Sequence, residues 1–210
     1  MLTVVTPAAS RKLTTLENLK AELGIPSSAE DVRLGRLIGR ASDIISGHCD
    51  RTFGRETVRL DVHGWSCEPG IRLRGGPLEV VSVAAGGTDL QPGDWQFDGE
   101  EARLYRLSGA AAQRILWPGQ ATAITYRRGY VLPGDDGYEA AGRFQLPGDV
   151  EQACITLVTS LRAGSRRDPM LRSESSEGLG AQSYIATADM GALPPQVVGL
   201  LERFVRYSVA

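Results

Sequence analysis

The side chains best suited to act as bases, nucleophiles or metal ligands are few: His48, His63, Cys49, Cys67 and Cys154. A cysteine and a histidine in contact could form a nucleophile–base pair. His48 and Cys49 are adjacent at the end of a predicted helix, where neighbours diverge by about 100° around the axis and cannot face each other. His63 falls on the polar face of a predicted strand. Cys154 falls on the apolar stripe of a predicted helix, where a free cysteine behaves as a small core hydrophobe. The sequence has no CxxC pair, and its histidines complete no metal-ligand spacing. It has no GxxxxGK[ST] loop to cradle phosphates, no HExxH, no GxSxG elbow and no GxGxxG after a strand. An enzyme built on His63 or Cys67 would lack a nucleophile–base–orienter set, and His63→Ala is its test. Asp94, Asp98, Glu100 and Glu101 around one turn, and Asp135-Asp136 in a loop, match no calcium-loop spacing and read as solvated charge. The expectation is no catalytic, metal-binding or cofactor-binding residue.

The arginines point elsewhere. Arg33, Arg36 and Arg40, spaced by three and four, line one edge of the second predicted helix. Such a stripe can meet phosphates, a partner's carboxylates or only solvent. Arg162, Arg166, Arg167 and Arg172, opposed locally only by Asp168, follow the third predicted helix. Arg162 complements the negative end of that helix. The others suit bidentate pairing with carboxylates of another chain, or simple solubility. Ser173 to Ala188 is polar but carries isolated apolar anchors at Leu179, Tyr184 and Ile185. That is the composition of a segment that orders on a partner, or of a surface loop.

These residues must be positioned by a small set of elements. Residues 1–13 read as an extended, poorly anchored arm, since Pro7 forbids a regular helix. Residues 14–53 read as a helical hairpin. Thr14 and Glu17 have capping-box spacing, Leu16, Leu19 and Leu23 form a stripe, and Gly24 and Pro26 stop it. The second helix starts near Ser28 and buries Leu34, Leu37, Ile38, Ala41, Ile44 and Ile45. The period then changes to two, and residues 54–131 read as a β-rich insertion. Its strands are Thr57–His63, Ile71–Arg74, Leu78–Ala85, Trp95 with Phe97, Leu104–Leu107 and Ile124–Arg128. The apolar phase slips between Val80 and Val81, which predicts a bulge or burial of both faces. Short strands separated by glycine-rich turns require antiparallel pairing. Residues 132–147 read as a loop. Residues 148–210 read as C-terminal helices, the last over Gln196–Tyr207, with an irregular segment at 164–193. The fold class is therefore α+β, a small bundle of about four helices with an inserted antiparallel β subdomain.

Composition bounds the rest. The chain has 210 residues, 42% hydrophobic and 23% charged, with a net charge of −2. That excludes a disordered chain and weakens any case for a general nucleic-acid or membrane-surface binder. Charge is spread as +1, −2 and −1 over residues 1–53, 54–147 and 148–210. No apolar stretch reaches the length of a membrane helix, and the opening residues lack the basic leader and apolar run of a secretory signal. Three unpaired cysteines suit a reducing compartment.

Several phrases, taken in order, carry a resemblance. They are Leu13-Thr14-Thr15-Leu16-Glu17-Asn18-Leu19-Lys20, then Leu37-Ile38 with Ala41, then Pro77-Leu78-Glu79-Val80-Val81-Ser82-Val83. Ile124-Thr125-Tyr126-Arg127-Arg128-Gly129-Tyr130 and Leu146-Pro147-Gly148-Asp149-Val150-Glu151-Gln152-Ala153 follow. A Ser- and Glu-rich segment ending at Ser183-Tyr184, and Leu193-Pro194 before a closing helix, complete them. In this order the chain resembles the head–tail connector proteins of tailed phages, also called adaptor or head-completion proteins, and their relatives in gene transfer agents. The resemblance spans most of residues 13–207, with a longer β region and the loop at 132–145 as departures.

It implies a helical bundle with a β insertion and a structural protein without catalysis. It also implies a homo-oligomeric ring, typically twelvefold, in the neck of the virion. The ring sits beneath the portal and above the next neck or tail-completion protein, DNA passes through it without sequence-specific binding, and it is assembled in the bacterial cytoplasm. On that view Arg162, Arg166, Arg167, Arg172, Leu179, Tyr184 and Ile185 are candidates for the portal interface, within a docking segment 162–193 plus the closing helix. Arg33, Arg36 and Arg40 are candidates for the ring contact or the DNA channel. The alternative function is a nucleic-acid-binding module using that same stripe.

Overall fold

In the computed structural model, structural description covers residues 1–63, 70–109, 112–117, 119–164, 173–176, 180–183 and 193–206, the two short stretches at 173–183 by backbone alone. The chain divides into two compact units. One comprises Met1–Ser10 and Thr52–Gln145, the other Arg11–Arg51 and Leu146–Ala210. A β unit is thus inserted between two pairs of helices, as the change of period requires.

The helical unit holds α1 (Leu16–Leu23), α2 (Asp31–His48), α3 (Gly148–Gly164) and α4 (Pro195–Leu201). Thr15 caps α1 by accepting from the Asn18 amide at 3.1 Å, one residue later than the Thr14–Glu17 spacing predicts. Thr14 has turned inward instead: it is buried, and its hydroxyl donates to Glu151 Oε1 at 2.8 Å. Gly24 ends the helix at φ +62°, a left-handed position that glycine takes without strain. Along α2, Leu34, Ile38, Ala41 and Ile45 are fully buried, while Leu37 and Ile44 flank them half-buried. Along α3, Val150, Ala153, Cys154, Leu157 and Val158 face inward, and Val197, Leu201 and Phe204 add the last part of the same unit's core. The closing helix is shorter than its periodicity predicts, because after Leu201 it tightens into a 3₁₀ turn over Glu202–Phe204.

Ser42 is buried inside this unit and is bonded both as donor and as acceptor. The single hydroxyl proton of Ser42 goes to the Ile38 carbonyl at 2.8 Å, and its oxygen accepts from the Leu13 amide at 3.0 Å. Cys154 Sγ lies 3.7 Å from the same oxygen, so the thiol is the donor there. Burial pushes the Cys154 thiol up to about 11. Because the folded value lies above the unfolded one near 9, this group's contribution is whole below pH 9 and fades as pH rises to 11. The loss is on the order of 2–3 kcal/mol. Urea titrations across that range should show an alkaline decline that Cys154→Ala flattens.

At the surface of the same unit, Glu151 Oε1 also accepts from Asn18 Nδ2 at 2.9 Å. Glu151→Ala leaves the buried Thr14 hydroxyl unpaired and should cost about 2 kcal/mol in urea unfolding, with Glu151→Gln costing less.

The β unit carries two sheets. The first has order β1 (Leu2–Thr6), β2 (Glu56–Val62), β9 (Thr122–Arg128), β4 (Leu78–Ala85), β5 (Thr88–Asp89). The second has β7 (Arg103–Ser108) flanked on one side by β6 (Trp95–Asp98) and paired also with β3 (Gly70–Arg72) and β8 (Gln113–Ile115). Every ladder is antiparallel. The register of β4 on β9 shifts between Val80 and Ser82, which places the bulge at Val81, where the apolar phase slips. Alternation buries Val58 on β2, Val83 on β4, and Ile124 and Tyr126 on β9 against Ile71, Leu104 and Trp117. Trp117 Nε1 donates to the Leu104 carbonyl at 3.2 Å, and the Tyr126 hydroxyl to the Arg74 carbonyl at the same distance.

Three strands of the β unit were not expected, the two-residue β5 (Thr88–Asp89) among them. The opening residues are extended, but Leu2–Thr6 pair with Leu60–Thr57 rather than forming a loose arm. Gln113–Ile115 pair with Arg106–Ser108. Residues 132–147, expected as a loop, contain two short 3₁₀ turns, Tyr138–Ala140 and Gly142–Phe144.

Candidate assembly surfaces

The α2 arginines stand together. Arg33, Arg36 and Arg40 are all exposed, on the side of α2 away from Leu34, Ile38, Ala41 and Ile45. Arg33 Nη1 lies 4.0 Å from Glu30 Oε1, and Arg36 and Arg40 carry no ion pair among the described residues. Two exposed guanidinium groups that pair with no described carboxylate can turn their charge to another molecule.

Arg162 behaves differently. Its Nε and Nη2 both reach Glu30 Oε2, at 3.1 and 2.7 Å, tying the end of α3 to the residue that precedes α2. Both side chains are about three-quarters buried. Its helix-end position was legible; Glu30, 132 residues away in the chain, was not. Arg166, Arg167, Arg172, Leu179, Tyr184 and Ile185 lie outside the described residues, as does Cys67. Between them, Ser173–Ser176 (β10) and Gly180–Ser183 (β11) form a two-stranded antiparallel ribbon that belongs to neither larger sheet.

The groups with the widest chemical repertoire are dispersed. His48 and His63 are exposed, the first at the end of α2 and the second just past β2. Cys49 and Cys154 are buried free thiols, and burial raises both above the ordinary cysteine value. A thiol so placed is a poor nucleophile. Among the described residues, no three His, Cys, Asp or Glu side chains gather as a metal site would need. A cleft of about 520 Å³ in the β unit is lined by charge of both signs: Arg55, Glu56, Arg127, Asp135 and Asp136. Its arginines are already committed, since Arg55 and Arg127 both pair with Glu79. These residues come from distant segments, so no local motif announces the cleft.

The exposed edges of the β unit were also missed. Leu2, Val4 and Val5 on β1 are exposed, as are Ile115 and Leu116 on and after β8. The β-branched run Thr3-Val4-Val5-Thr6 was the available signal.

No protein-family model matches this chain, and no curated protein matches it. Solved structures do. A chain in the neck of an empty gene transfer agent (GTA) particle, computed with C6 symmetry, aligns over 100% of this chain and 97% of its own, with TM-score 0.55 and 20% identity. The fold is that of a GTA neck protein. A chain of the native GTA virion aligns over the same shares at TM-score 0.53 and 20% identity. So does one in the native GTA neck computed with C12 symmetry, at 0.54 and 20%. The likeness covers the whole α+β architecture, β unit and helices alike.

Proposed function

We propose that this protein is a structural head–tail connector of a phage or phage-like particle, present as a ring of identical copies in the neck. The observation that carries this is the end-to-end likeness to chains of GTA necks, two of them in structures computed with C6 and C12 symmetry. Twelve copies fit both symmetries. The ring docks under the portal, joins capsid to tail through the next neck protein, and lets DNA pass without reading its sequence. It works by shape and changes no covalent bond.

Portal contact falls to residues 162–193 with α4. A two-stranded ribbon is marginal in water by itself, so β10–β11 gains from a surface to lie on. The surrounding arginines Arg166, Arg167 and Arg172 and the anchors Leu179, Tyr184 and Ile185 suit carboxylates and pockets of such a surface. Deleting residues 165–190 should abolish portal binding; normal binding by the deleted chain would remove this assignment.

The wider test is a strain lacking the protein. Filled heads without tails are expected, and normal tailed particles would overturn the connector. A second function, nucleic-acid binding by the α2 stripe, is favoured by the exposed Arg36 and Arg40. The two separate on salt, because phosphate-driven affinity falls steeply with ionic strength. The connector should not bind free duplex at physiological salt.

A further inference from the structure

Large apolar side chains are exposed at nine positions among the described residues, and six of them sit at two places: Met1, Leu2, Val4 and Val5 around β1, and Ile115 and Leu116 at β8. Both places are sheet edges. Among the described residues, β1 pairs only with β2, and β8 only with β7. Edge strands of soluble proteins are normally blunted by charge or proline, because an unpaired row of N–H and C=O groups recruits other strands. Residues 1–10 hold no charged side chain, and their one proline, Pro7, follows the strand.

The ladder shows which groups of β1 are free. Met1 and Asp61 exchange both backbone bonds, the Asp61 amide reaching the Met1 carbonyl at 2.8 Å. Hydrogen-bonded and non-bonded pairs alternate in an antiparallel ladder, so Thr3 opposite Arg59 is bonded and Leu2 and Val4 are not. The N–H and C=O groups of Leu2 and Val4 therefore point outward, away from β2.

We propose that β1 of one copy adds to the free edge of β8 of the next copy, so that adjacent subunits are joined by a sheet running across their boundary. The other edges fit less well. β5 has two residues and ends in Asp89, Ile71 at the centre of β3 is buried, and the Trp95 and Phe97 side chains of β6 already pack on the core. Pairing β1 with β1 would close a twofold dimer, whereas pairing two different edges is head-to-tail and can close a ring. The choice of a second copy as occupant rests on the connector reading and on the C6 and C12 symmetry of the particles that share the fold.

The test is a chain carrying Cys67→Ser, Val4→Cys and Ile115→Cys, treated with a short bis-maleimide in particle-producing cells. The two remaining native cysteines are buried. A ladder of dimers, trimers and larger species is expected from the double-cysteine chain and none from Val4→Cys alone. Absence of the ladder, or dimers from Val4→Cys alone, overturns the proposal. A Cys67→Ser, Thr3→Cys, Ile115→Cys chain, itself expected to give the ladder with a bis-maleimide long enough to reach round the strand, supplies an independent arm when Val4→Pro is added to it. The proline deletes an outward N–H and leaves the β2 ladder intact, so the subunit should melt as before while the cross-linked ladder is lost. A ladder that survives Val4→Pro overturns the proposal as well. If no ladder forms but a strain lacking the chain still makes heads without tails, the edge pairing fails and the connector stands. If that strain makes normal particles, the connector itself fails.

Discussion

Trp117→Ala is expected to destabilise the β unit by about 3–5 kcal/mol, read as a drop in the urea midpoint of the purified chain. Trp117 is 2% exposed and is among the largest fully enclosed side chains of the chain. Truncation removes its contacts with the strands that carry Leu104, Ile124 and Tyr126 and opens a void that a sheet pair cannot readily collapse around. It also leaves the Leu104 carbonyl without its indole donor. Trp117→Phe separates the two effects. It keeps most of the volume but not the N–H, so its loss should stay near the 1–3 kcal/mol of a buried unsatisfied acceptor. Equal losses in the two variants would show that packing contributes little there.

Gly129→Ala should be more severe still, to the point of preventing the β unit from closing. Gly129 follows β9 at φ +93°, and a Cβ there would stand 2.4 Å from the Gly54 carbonyl oxygen and 2.8 Å from that of Phe53. Both obstacles are backbone, and the Phe53 oxygen is held by the Tyr130 amide at 2.7 Å, so neither can swing aside. Gly137 is the control. It too has a positive φ, +78°, but nothing lies within 4 Å of its missing Cβ. Gly137→Ala should cost only the roughly 1–2 kcal/mol of left-handed backbone strain. Soluble expression and circular dichroism of the two variants decide the matter. If Gly129→Ala folds as well as Gly137→Ala, the close approach of residues 53–54 to 129 is not a constraint.

Where the chain's own periodicity governs, the fold was legible. The phase slip at Val80-Val81 announced the bulge because side-chain alternation has no slack: one extra residue must appear as a break. The apolar stripes of α2 and α3 announced their buried faces for the same reason. β1 was missed because every residue from Leu2 to Thr6 is exposed, so no alternation of buried and exposed positions marks it and only its β-branched run does. β8 was hidden likewise, three exposed residues long. Thr14 was read as a cap because its spacing to Glu17 fits, but its true partner, Glu151, is 137 residues away.

The surfaces were less legible than the fold, for a physical reason. A catalytic site gathers its groups within one chain, so spacing and neighbours betray it. An assembly protein keeps only half of each contact, and the complementary half lies on another molecule. Arg36 and Arg40 illustrate this: their stripe was visible in sequence, yet among the described residues no carboxylate pairs with them. Arg162 illustrates the converse, a residue grouped by sequence with the docking arginines that spends its guanidinium on Glu30 of its own chain.

In the connector proposed above, copies of this chain encircle the axis between head and tail. Electron microscopy of intact particles whose copies carry an exposed tag near His63, labelled by a tag-specific antibody fragment, tests it most directly. Label around the whole neck, between portal and tail, is the predicted result. Label confined to the tail tip or the head shell, a single labelled copy per particle, or mature particles that contain none of the chain would contradict it.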